Sequence, residues 1–314
     1  MVTLKDIVDA HNRISPFIHR TPVLTNKSLN ELSGAELYFK CENFQKAGSF
    51  KIRGATNTVE LLNQDELDKG IATTSSGNHG AALSMAVSRK NGTTKVVMPH
   101  NTPKIKVRNV ERNGGEVIWC EPDQTSRENV LKDLVTKTGS TVVHPYNDER
   151  IVMGQGTAGK ELIEDCPDLD AIISPVSGGG LLSGTLISAQ GMNPRIKVYG
   201  AEPLEADDTF LSLKKGQIVP NKSVNTICDG LRAQIGTITF PIIQSYVQEV
   251  ITLTEEEIIE SMKMIWERMK IVVEPSCSIT LSAVLKSRDL FAGKKVGLII
   301  SGGNVDLEHL PWSR

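Results

Sequence analysis

Apolar residues along this chain come in short bursts separated by longer stretches of helical period. ELYFKCE at 36–42, TKVVMP at 94–99, EVIWCE at 116–121, TVVHP at 141–145, LDAIISPV at 169–176, IKVYGAE at 196–202 and KVGLIISGG at 295–303 are the bursts. They lack the strict apolar–polar alternation of a sheet with one wet face, so they read as strands buried on both sides. Near the start, Leu4, Ile7, Val8, His11 and Ile14 share one helical face, with Thr3 and Asp6 as a capping pair. AALSMAVS, SRENVLKDLVTKTG and LLSGTLISA supply further helices. Strands alternating with helices predict an α/β class with mostly parallel sheets. Residues 70–147 hold a strand–helix series of their own. They are expected to form a small inserted domain, with 1–69 and 148–314 as the large one.

Composition narrows the class of function. The 35 Lys plus Arg balance 37 Asp plus Glu in 314 residues. With no long run of one sign, neither nucleic acid nor an anionic membrane is an expected partner. No apolar run approaches a membrane span, and the first residues read as a folded helix rather than a signal peptide, so a soluble cytoplasmic protein is expected. Five scattered cysteines without a Cys-x-x-Cys pair read as buried thiols of a reducing compartment, and six dispersed histidines do not build a zinc site.

Glycine-rich segments carry the candidate chemistry. Gly154-Gln155-Gly156-Thr157-Ala158-Gly159-Lys160-Glu161 approaches a nucleotide-binding loop, but Glu161 stands where a Ser or Thr should hold Mg²⁺, and no buried strand precedes it. Ser177-Gly178-Gly179-Gly180 instead follows a strand and opens a helix, which suits a phosphate cradle or an ordinary tight turn. Ser75-Ser76-Gly77-Asn78-His79 also opens a helix and offers N–H donors for a carboxylate, or simply an N-cap. Ser301-Gly302-Gly303-Asn304 ends the last strand, at the edge where α/β sheets bind ligands. Lys51 sits between Phe50 and Ile52, whose burial of its stem would lower the amine pKa and favour an imine.

KCENFQKAGSFKIRGA, SSGNHG, GQGT, PVSGGGLLSG, AEPLEADD, ERMKIVVEP and SGGNVD, in this order over nearly the whole chain, resemble the blocks of the serine racemase and serine/threonine dehydratase family. CEPDQTSRENV, YGAEPLEADD and WERMK are most similar to its eukaryotic-type racemase branch. The resemblance implies fold type II of the pyridoxal-phosphate enzymes, two open sheets flanked by helices. It implies that Lys51 carries pyridoxal 5'-phosphate as a Schiff base, Phe50 packs on the ring, and Asn78 bonds its 3-oxygen. Ser177, Gly178, Gly179 and Gly180 would cradle the phosphate, and Ser301 would face the ring nitrogen. The substrate, a small amino acid, would lie against Ser75, Ser76, Gly77, Asn78 and His79, with Arg127 as a charge partner on domain closure. Ser76 would serve as the acid opposite Lys51 that racemisation needs. Glu202, the Ala206 carbonyl and Asp208 would ligate a divalent cation, Mg²⁺ or alternatively Ca²⁺ or Mn²⁺. A homodimer is implied, and a nucleotide effector is left open.

The implied activity is serine racemisation with accompanying elimination to pyruvate and ammonia. Three positions depart from the family. Ser177 replaces the usual first glycine of the phosphate turn, Ala233 replaces a frequent serine, and Ser276-Cys277-Ser278 replaces a smaller run. They keep threonine or 3-hydroxyaspartate dehydratase, and aspartate racemase, as alternatives, while a non-catalytic regulator has no use for Lys51. After SGGNVDLEHLPWSR, no regulatory domain like that of biosynthetic threonine deaminases is expected.

Overall fold

The computed structural model describes residues 1–75 and 77–312, the side chain of Gln124 excepted. The described strands are β1 (Val23–Leu24), β2 (Glu36–Cys41), β3 (Ile71–Thr74), β4 (Thr94–Pro99), β5 (Gly115–Cys120), β6 (Thr141–Val142), β7 (Ala171–Pro175), β8 (Lys197–Pro203), β9 (Glu249–Leu253) and β10 (Lys295–Ile300). They form one sheet in the order β1-β2-β10-β7-β8-β9 and a second in the order β5-β4-β3-β6. The short β1 runs antiparallel to β2, whereas the other pairings are parallel. The α/β expectation holds, and each of the seven anticipated strands is present. β1, β3 and β9 were not anticipated as strands, being short runs beside stronger helix or turn signals, and β6 is shorter than its apolar run.

Burial explains the missing alternation. Ile173, Leu298 and Ile300 enter the core on one face of the larger sheet, while their neighbours Ile172 and Ile299 enter the core on the other. Both faces are dry, so every position favours an apolar residue. The first helix, Leu4–Ile14, begins with the expected reciprocal cap between Thr3 and Asp6. Its fully buried residues are Ile7, Ala10 and Ile14, with Leu4, Val8 and His11 at the margin.

The nucleotide-loop look-alike lies inside the helix Glu149–Asp165 and is buried. Its glycines permit close helix packing. A Cβ on Gly154 would stand 2.5 Å from Gly54 Cα, in the helix Lys51–Leu61. Glu161, the residue that spoiled the motif, has a different task. It accepts hydrogen bonds from Arg53 Nη1 and Nη2 at 2.8 Å each, while Glu42 accepts from Arg53 Nε and Nη2 at 2.7 Å each. Lys40 Nζ reaches Glu161 at 2.8 Å and donates to Thr21 O at 2.8 Å. Two buried acids and two buried bases thus close a neutral network that ties β2 to both helices. Burial alone would raise the Glu161 pKa, but the bonds from Arg53 and Lys40 hold it down at about 2.

Candidate active site

The carboxyl ends of β2, β3, β7 and β10 lead into the segments that the sequence singled out, and parallel sheets bind ligands at this edge. The chain before Lys51 is stitched to the turn after β10. Phe50 N donates to Ser301 O at 3.0 Å, Gly303 N donates to Gly48 O at 3.0 Å, and Ser49 pairs with Gly302. Ala47 and Gly48 turn the chain through φ values of 57° and 73°. The Lys51 side chain then crosses toward the smaller sheet, where Nζ donates to Pro145 O at 3.1 Å and lies 5.1 Å from the Phe50 ring centroid. Burial of the amine lowers its pKa to about 8 despite the opposing charge of Glu274.

Asn78 begins the helix Asn78–Ser88 and is held on both sides. Its Nδ2 donates to Glu274 Oε1 at 2.8 Å, and its Oδ1 accepts from Asn304 Nδ2 at 2.8 Å. One amide hydrogen remains for an acceptor in the crevice. Glu274 was missed as a site residue. It is buried, and burial raises its pKa although Lys106 and Asn78 pull the other way. Its position just before Pro275 at a helix start was the available signal.

Gly179 adopts φ +90° directly before the helix Gly180–Met192, whose N-terminus has no side-chain cap. A Cβ on Gly178 would collide with the ring of Tyr146, another residue that sequence reasoning passed over. The turn is held by the segment 229–239. Gly236 N and Thr239 Oγ1 both donate to Gly178 O, at 3.2 and 2.7 Å. The Ser177 hydroxyl donates to Ala233 O at 3.1 Å and accepts from Ala233 N at 3.0 Å. Two of the family departures therefore touch, with the extra hydroxyl anchoring the backbone of the residue that lost one.

Ser75 Oγ accepts from Gly77 N at 3.3 Å and Gly80 N at 3.1 Å, which shapes the second turn. Ser76 lies outside the described residues. The His79 ring is buried, and burial followed by the nearby Lys51 charge lowers its pKa to about 3, so it stays neutral. Arg127, in the helix Gln124–Thr138, lies near Cys120 and encloses an Nε without a partner. Among the described residues no hydrogen bond joins it to the Ser75–His79 turn.

Glu202, near the end of β8, accepts from Thr209 N and Phe210 N at 3.2 and 3.0 Å, and Asp208 accepts from Ile235 N at 2.7 Å. Both carboxyls are buried, as is Ala206. Burial and then Asp208 push Glu202 up to about 8, and burial lifts Asp208 to about 6. Two enclosed carboxyls in one electrostatic neighbourhood suit a cation between them. Among the described residues there is no cluster of three or more His, Cys, Asp or Glu that could hold a metal.

The profile of the pyridoxal-phosphate dependent enzymes matches residues 14–302. The chain belongs to that family. A serine racemase of Dictyostelium discoideum is 52% identical, covering 98% of this chain and 97% of its own. A β-hydroxyaspartate dehydratase of Paracoccus denitrificans is 45% identical over 99% of each chain. The solved structure of maize serine racemase superposes with a TM-score of 0.95 at 43% identity, over 98% of this chain and 95% of its own. The fold is thus that of the type II pyridoxal-phosphate enzymes, and the chain is an enzyme of the racemase and ammonia-lyase group. The pocket suits the cofactor: an enclosed amine of lowered pKa stands beside an aromatic face, an amide donor and an uncapped helix start behind glycines. Five free cysteines, four of them buried, accord with the reading of unpaired thiols. Among the described residues no helix is long and apolar enough to cross a membrane.

Proposed function

We propose that this chain is a serine racemase that also eliminates water from L-serine, yielding pyruvate and ammonia. The observation that carries the reading is the enclosed Lys51 amine at the junction of the cofactor-binding turns. Bound pyridoxal phosphate supplies the electron-withdrawing ring that makes the substrate Cα–H acidic. The chain's own residues do the rest. Lys51 would hold the cofactor through its amine, and the free amine would move the Cα proton on its own face. Phe50 and Asn78 would orient the ring, Ser301 would serve its nitrogen without imposing a charge, and Ser177 to Gly180 would hold the phosphate. Ser75 to His79 receive the substrate carboxylate. Ser76 delivers the proton to the opposite face. Residues 70–147 act as a small mobile domain that shuts water out on closure.

A second reading, dehydration of 3-hydroxyaspartate, is favoured by the Paracoccus relative and by Ala233, which leaves space where a serine would stand. A chiral product assay across serine, threonine, aspartate and 3-hydroxyaspartate separates the two. Ser76→Ala is expected to reduce serine racemisation at least tenfold while elimination from the L-isomer survives. Racemisation at the wild-type rate in that variant would show that another group delivers the proton on the opposite face.

We also read Glu202, the Ala206 carbonyl and Asp208 as ligands of a divalent cation, Mg²⁺ or a similar hard ion, with water completing the shell. A homodimer in the cytoplasm belongs to the same reading. Adding a chelator is expected to lower the thermal midpoint of the wild type by several degrees and to leave an Asp208→Asn variant nearly unmoved. Asparagine retains an acceptor for Ile235 N, so the variant tests charge rather than loop anchoring. Equal shifts in both proteins would place the cation elsewhere.

A further inference from the structure

Lys106 belongs to the helix Lys104–Arg112, beside the smaller sheet, and its side chain is only 16% exposed. It reaches Gly77. A Cβ built on Gly77 would stand 3.7 Å from Lys106 Nζ and 3.9 Å from its Cδ. The ammonium ends on the carboxylate of Asp229, in the short turn Asp229–Leu231 beside the larger sheet. Glu274 and Arg232 also face it, but each is committed elsewhere. Glu274 holds Asn78, and Arg232 donates to Thr226 O from Nε at 3.1 Å and from Nη2 at 2.5 Å. Asp229, at 29% exposure, is the more accessible partner of the pair and the one an incoming anion can replace.

We propose that Lys106 is the cation that binds the substrate α-carboxylate, and that Asp229 occupies this ammonium until the substrate arrives. The inference rests on the reading of this crevice as the amino-acid site and deepens it. At the start of the helix Asn78–Ser88, Ser75 Oγ takes Gly77 N and Gly80 N, which leaves the neutral N–H donors of Asn78 and His79 for a carboxylate. They satisfy its hydrogen-bonding capacity but supply no counter-charge. An ammonium beside Gly77 supplies it at the same spot. The pair also spans the two sheets, so exchanging Asp229 for the substrate carboxylate links binding to their relative position. Arg127, to which the sequence reading gives this charge, acts electrostatically on Cys120, and among the described residues no hydrogen bond joins it to Ser75, Gly77, Asn78 or His79.

The test uses the purified holoenzyme and two amines that undergo no elimination. Glycine carries an α-carboxylate and methylamine does not, and either one displacing Lys51 changes the visible absorbance. Lys106→Gln is expected to weaken glycine about tenfold or more and leave methylamine unchanged, with Lys106→Arg recovering much of the loss. Asp229→Asn is expected to tighten glycine severalfold, because the competing carboxylate is gone. These opposite signs separate a binding residue with a placeholder from a plain structural tether, for which both variants would weaken glycine. Unchanged glycine affinity in Lys106→Gln, equal losses for glycine and methylamine, or weakened glycine in Asp229→Asn would each overturn the proposal. Wild-type protein that shows no visible band even after added cofactor would instead overturn the reading of the crevice itself.

Discussion

Lys51→Ala is expected to abolish racemisation and elimination together and to remove the visible imine absorbance of the holoenzyme. The residue combines two roles that no neighbour duplicates. In the proposed mechanism it is both the amine that holds the cofactor and the base that moves the substrate Cα proton, so loss of several orders of magnitude is expected. Its lowered pKa makes a separate prediction for the cofactor-free protein. Only the neutral amine attacks an aldehyde, and with a pKa of about 8 the neutral fraction rises about tenfold from pH 7 to pH 9. The rate of cofactor uptake should follow that curve and level above pH 9. A rate still climbing toward pH 10.5 would mean that the amine is solvated rather than enclosed. Substantial turnover in Lys51→Ala would assign the proton transfer to another group.

Arg53→Ala is expected to have the largest effect on stability, about 3–5 kcal/mol, because it leaves the buried Glu42 carboxylate without a cation and Glu161 with Lys40 alone. Arg53 follows Lys51 by two residues in the same helix, so local loosening there should also reduce cofactor retention. Arg53→Lys should recover only part of the loss, since a single ammonium cannot serve two carboxylates in a forked geometry. The denaturation midpoint of the holoenzyme and the cofactor-to-protein ratio measure the two effects. An unchanged midpoint in Arg53→Ala would show that the network is not holding the helix.

The strands were legible in the sequence where both faces are buried, as at AIISP and KVGLII, because such runs must be apolar throughout. β1 and β3, of two and four residues, and β9, whose EVITL mixes Glu and Thr with its apolar positions, stood out less from neighbouring helix and turn signals. Within the candidate site, Lys51, Asn78 and the glycine turns were visible because unusual backbone demands and local motifs mark them. Glu274, Tyr146 and Lys106 were not, since each acts on a partner from a distant segment and an isolated Glu, Tyr or Lys carries no local signature. Glu161 makes the same point in reverse. Its sequence neighbours suggested a damaged nucleotide loop, whereas its partner 108 residues away, Arg53, explains why a carboxylate stands there.

By itself, then, the sequence determined the α/β class, the family and the set of turns proposed to hold the cofactor, because each depends on residues close together in the chain. The tertiary structure decided what those turns are tied to: Ser177 to the backbone of Ala233, Asn78 between Glu274 and Asn304, and Lys106 over Gly77 to Asp229. Hydrogen bonds and ion pairs act over a few ångströms, and folding alone brings segments tens to hundreds of residues apart within that range.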